Sequence, residues 1–73
     1  MARERVHGFL VNFDEALRNT GIYYLQRDLN PEAARTIFEA ARSHGSSHFE
    51  DDHERRFTLM YNRSDGTYTL EAN

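Results

Sequence analysis

Around Gly45 the apolar pattern of this chain changes its period, and few architectures accommodate such a change. Before it, Ala34, Ile37, Phe38 and Ala41 fall at i, i+3, i+4 and i+7, the spacing that lines one face of a helix. After it, Phe57, Leu59 and Tyr61 alternate with Thr58, Met60 and Asn62. Tyr68 and Leu70 alternate in the same way with Thr67, Thr69 and Glu71. That is the period of a strand buried on one side. Helical periodicity followed by strand periodicity places the chain in the α+β class.

The clearest element runs from Pro31 to His44. Asn30 suits the N-cap, Pro31 the first helical position, and Glu32 the positive end of the helix dipole. Arg42 and His44 sit near the carbonyl end, and Gly45 stops the helix. Upstream, Phe9, Phe13, Ala16 and Leu17 also recur at helical spacing with Leu10 beside them. They predict a second helix from Val6 or Phe9 to Arg18, ended by Asn19-Thr20-Gly21. Ile22-Tyr23-Tyr24-Leu25 reads two ways. Its β-branched and aromatic content suggests a strand, while Leu17, Thr20, Tyr24 and Leu25 continue the helical phase. If it is extended, one of the two tyrosines must be exposed.

Downstream, residues 47–51 with Phe49 inward form a short strand, joined through Asp52-His53-Glu54 to the strand around Leu59. Arg63-Ser64-Asp65-Gly66 closes a hairpin, with Asp-Gly as the turn signal. The predicted fold is one domain over residues 1–73, with two helices packed on one face of a three-stranded antiparallel β-meander. Phe9, Phe13, Phe38, Phe49, Phe57, Tyr61 and Tyr68 point into its core.

Composition narrows the function. A chain of 73 residues hides only about 60% of the surface its unfolded form exposes. With no Cys it has no disulfide to add, and that fits a reducing, cytoplasmic setting. No apolar run approaches the roughly 18 residues of a membrane span, and no apolar stretch follows Met1-Ala2-Arg3-Glu4-Arg5 as a secretory signal requires. The net charge of −3 weighs against a nucleic-acid partner. All nine basic residues are Arg, a usage that codon bias explains more readily than interface chemistry does.

The segment from His44 to His53 is the richest in potential metal ligands. On a strand, however, His48 and Glu50 point one way and Asp51 the other, so no metal site is expected, and no cofactor. Gly45-Ser46-Ser47-His48-Phe49 followed by Arg56-Phe57-Thr58-Leu59 resembles the Gly-Ser-His segment and following strand of the HicA-type toxins. The resemblance implies a small ribonuclease in which His48 serves as acid or base. Against it, the residues before Gly45 read as a helix where that family has a strand, and the chain has no Lys for RNA. Two helices and a hairpin also have the outline of a winged helix, with Arg63 on the wing. Glu32 and Glu39 nevertheless lie three residues before Arg35 and Arg42, giving the self-neutralised face of a solvated helix.

No nucleophile with an adjacent base and no glycine-rich phosphate loop stands out, so no catalytic residue is assigned. The sequence favours a binding module, an adaptor or regulatory domain with a protein partner or a second copy of itself. The ribonuclease-like enzyme and the nucleic-acid adaptor are the alternatives. The expected contact surface is the sheet face carrying His48, Glu50, Arg56, Thr58, Met60, Thr67, Thr69 and Glu71. Met60 is its one long apolar side chain, with Thr58, Thr69, Arg56 and His48 around it. A second route is strand addition across a Thr67–Glu71 edge.

Overall fold

The computed structural model describes residues 1–73 and is α+β. It opens with strands where the helical spacing pointed to a helix. Strand β1 (Ala2–Val6) and strand β2 (Phe9–Phe13) form an antiparallel hairpin in register from Val6 with Phe9 to Ala2 with Phe13. Residues four apart lie on one face in a helix and in a strand alike, so Phe9 and Phe13 satisfy both periods. Val11 decides between them, because it is fully buried beside Phe13. The turn, His7-Gly8, has φ of 50° and 89°. Positive φ at both central positions is what a two-residue type I′ turn needs to match the twist of its strands.

Helical structure begins only at residue 15, as a tight turn over Glu15–Leu17 whose Asp14 cap accepts the Ala16 N–H at 2.9 Å. It continues in two wider, π-helical stretches, Arg18–Ile22 and Tyr24–Asp28. Residues 22–25 are therefore helical, and Gly21 does not stop the chain. A Cβ at Gly21 would lie 2.8 Å from Leu70 Cδ2 and 3.0 Å from the Phe57 ring. Glycine here lets the helix backbone rest directly on the sheet. Ile22 and Leu25 are buried beside it, Tyr24 stacks on Phe49 at 5.9 Å, and Tyr23 is 46% exposed.

Helix α1 (Pro31–His44) has the predicted bounds. The Asn30 side chain accepts the Ala33 N–H at 2.8 Å, and Gly45 ends the helix with φ of 92°. Ala34, Phe38 and Ala41 are its buried face.

Strands β3 (Ser46–Glu50), β4 (Arg56–Asn62) and β5 (Thr67–Ala72) form the expected antiparallel meander. It is only part of the sheet. The full sheet has five strands in the order β1-β2-β5-β4-β3, with β2 parallel to β5 and every other pair antiparallel. The three-stranded expectation fails because the N-terminal hairpin adds to β5, with Val11 opposite Tyr68 and Phe13 opposite Leu70. Consequently β5 is interior and has no free edge over Thr67–Glu71 for an added strand. The free edges belong to β1 and β3.

One face of the sheet carries Val11, Phe13, Phe57, Leu59, Tyr68 and Leu70, all buried, and both helical segments pack there. All seven aromatics predicted as core lie on this side. Phe9, Phe38 and Tyr68 meet at its centre: Phe9 stacks on Phe38 at 4.4 Å, and each meets the Tyr68 ring edge-on, at 5.7 and 5.0 Å. Phe38→Ala removes a ring that contacts both of the others and should cost about 3–5 kcal/mol. Gly21→Ala should cost about 1–3 kcal/mol by overpacking against Leu70 and Phe57. Urea denaturation checks both, and a wild-type midpoint for either variant contradicts the packing described.

Candidate interaction face

Because side chains alternate along a strand, the register that sends Phe57, Leu59 and Tyr61 inward sends Arg56, Thr58, Met60 and Asn62 outward. Cross-strand pairing puts their neighbours on the same side. Met60 lies opposite Thr69 and Ser46, Thr58 opposite Glu71 and His48, Arg56 opposite Glu50, and Asn62 opposite Thr67. Thus His48, Glu50, Arg56, Thr58, Met60, Thr67, Thr69 and Glu71 share one face, which no helix covers. The N-terminal hairpin extends it with Arg3, Arg5, Leu10 and Asn12. Sequence reasoning missed these four because a helical reading of residues 6–18 hides the alternation of Leu10 and Asn12 with Phe9, Val11 and Phe13. Leu10, like Met60, is half-buried, so the face has two long apolar side chains rather than one.

The centre of this face is a ladder of polar side chains. Arg3 Nε donates to Asn12 Oδ1 at 2.7 Å, and Asn12 Nδ2 donates to Thr67 Oγ1 at 3.3 Å. Asn62 Nδ2 donates to Thr67 Oγ1 at 3.0 Å and to Thr69 Oγ1 at 2.9 Å. The Thr67 hydroxyl in turn donates to Asp65 Oδ1 at 2.7 Å. That bond and the Thr67 N–H hold the Asp65 carboxyl below its ordinary value of 3.8. No buried side-chain nitrogen or oxygen in the structure lacks a partner.

At the β3 end, Thr58 Oγ1 donates to Asn73 Oδ1 at 2.6 Å and lies 2.9 Å from His48 Nδ1. A hydroxyl has one proton, so the Thr58 oxygen must accept from His48, and Nδ1 carries the hydrogen. Nε2 is thereby left facing outward. Arg56 and Glu50 form an exposed pair at 3.4 Å beside it. Asp51, just past β3, is different in kind, with its side chain 2% exposed. Burial alone would raise its carboxyl. The Arg55 N–H and guanidinium, with the His53 N–H, outweigh that and hold it below the ordinary range.

The three histidines of the His44–His53 segment are spread over a helix end, a strand and a turn. No three His, Asp or Glu side chains gather into a metal-holding group. His48, Phe49, Glu50, Arg56 and Asn73 line a depression that opens broadly to solvent. On α1, Glu32, Arg35, Glu39 and Arg42 are exposed, and no ion pair forms among them. No helix is long and apolar enough to cross a membrane. No family model, curated protein or solved structure matches the chain.

The Asp65 hydrogen bonds have a pH signature. A depressed folded value stabilises fully above the ordinary carboxylate value of 3.8 and loses that contribution as the pH falls through the folded value. Asp65→Asn should therefore flatten the acid limb of stability between about pH 5 and pH 2. Urea midpoints measured across that range check it; parallel curves for wild type and variant refute the assignment.

Proposed function

We propose that this chain is a small cytoplasmic adaptor or regulatory module, without catalytic activity, that docks a folded protein partner on its open sheet face. The observation that carries the reading is a sheet covered on one side only, whose bare side has a central ladder of polar side chains bonded to one another. A partner covering Asn12, Asn62, Thr67 and Thr69 meets groups that already make four hydrogen bonds, so part of the penalty of burying unpaired polar groups is avoided. Met60 and Leu10 supply apolar contact, and Arg3, Arg5, Arg56, Glu71 and His48 supply a charged rim. Mixed charge and few apolar side chains fit a modest, separable interface rather than an obligate one. The absence of Cys supports the compartment.

The ribonuclease-like reading gains one observation, the outward Nε2 of His48 with Arg56 nearby. It is opposed by Glu50, which neutralises Arg56, and by Glu71 across Thr58, both of which repel a phosphodiester. A surface acting as described tolerates Met60→Glu with a stability change below about 0.5 kcal/mol. That variant should elute at its free mass from extracts of its own cells, while wild type elutes in a larger complex. Equal elution of two folded chains, or RNA cleavage lost on His48→Ala, overturns the proposal.

A further inference from the structure

The β3 edge carries an inference independent of the open face. Tyr61 N–H donates to Gly45 O, and Asp51 N–H to Arg55 O, both at 3.0 Å. In an antiparallel ladder the hydrogen-bonded pairs alternate, so Gly45, Ser47, Phe49 and Asp51 turn their backbone groups toward β4. Ser46, His48 and Glu50 therefore turn theirs outward along the free edge, where no hydrogen bond within the chain uses them.

We propose that this edge pairs with the same edge of a second copy, antiparallel, about a two-fold axis at Phe49. Two hydrogen-bonded pairs then form, His48 with Glu50 of the second copy and the reverse, each exchanging both N–H···O bonds. The side chains agree with this register. With Nδ1–H held by Thr58, His48 presents Nε2 to the opposing Glu50 carboxylate and is attracted to it as imidazolium. Its own neighbours are Ser46 and Glu50 along β3, with Arg56, Thr58 and Met60 on β4 and Glu71 beyond Thr58. The Phe49 rings, half-buried and already stacked on Tyr24 and Phe57, come together across the axis as a close non-hydrogen-bonded pair. Shifting the axis to His48 places imidazole against imidazole and removes the carboxylate.

The other free edge cannot pair with itself in this way. The two-residue turn makes Val6 and Phe9 a hydrogen-bonded pair, so Arg3 and Arg5 carry the outward backbone groups of β1. Every antiparallel self-register centred on Arg3, Glu4 or Arg5, the only ones that pair the middle of the strand, sets Arg against Arg, which repels. Charge thus selects β3 for self-association and closes the assembly at two copies.

Sedimentation equilibrium near pH 6, from about 10 μM to about 1 mM, suits the weak association expected of so short an edge. Wild type should show a monomer–dimer equilibrium with no larger species. Glu50→Arg should raise the dissociation constant about tenfold or more, because two attractive cross-strand pairs become repulsive. Adding His48→Glu to Glu50→Arg restores opposite charges at the same pair and should recover dimerisation, whereas Arg35→Glu, on the exposed face of α1, should leave it unchanged. In the wild-type chain the backbone N–H groups of His48 and Glu50 should exchange more slowly as concentration rises, and those of Arg3 and Arg5 should not. A chain monomeric at about 1 mM, open-ended growth, or protection at Arg3 and Arg5 instead overturns the proposal.

Discussion

The contact of Phe9, Phe38 and Tyr68 holds three distant parts of the chain together. One ring comes from the N-terminal hairpin, one from α1 and one from β5, and each touches the other two. A 73-residue chain without disulfides has little else to fix its layers. Edge-to-face contacts are directional, so this trio sets the relative rotation of helix and sheet as well as burying area. Gly21 supplies the matching constraint on the other side, because its bare backbone lets residues 15–28 lie against Leu70 and Phe57.

With the helices confined to one side, the other side has to be compatible with water. The chain meets that requirement with hydroxyl and amide side chains that bond sideways across strands β2, β5 and β4, from Arg3 through Asn12 and Thr67 to Asn62 and Thr69. Such a surface is stable when wet. The same economy is absent at β3, whose outer backbone groups have only solvent for partners.

Much of this was readable from residue order, for identifiable reasons. Helix α1 announces itself through Asn30, Pro31 and Gly45, each acting locally through cap chemistry. The outward set from His48 to Glu71 follows from alternation within strands that have unambiguous period. The first third was misread because Phe9 and Phe13 fit two periods, and because His7-Gly8 lacks the Asn or Asp that usually marks a type I′ turn. Gly21 carried an equally ambiguous signal, since a glycine that ends a helix and one that seats it on a sheet look alike in sequence. Leu10 and Asn12 vanished from the candidate face as a direct result. The parallel join of β2 to β5 leaves no local trace at all, because it depends on residues more than fifty positions apart.

That join also sets the order in which the protein can be built. Hairpin β1–β2 is synthesised first, yet the partner of its inner edge, β5, is synthesised last of the strands. Until β5 has left the ribosome, Val11 and Phe13 have a neighbouring strand, β1, on one side only, and α1 has only half a sheet to lie on. Closing so long a loop carries an entropic cost before any contact repays it, and chains dominated by distant pairings fold slowly. The inner edge of the nascent hairpin is therefore exposed until β5 emerges. The hairpin's alternating Arg3, Glu4 and Arg5 on the outer edge are well placed to keep neighbouring nascent chains from adding to it meanwhile.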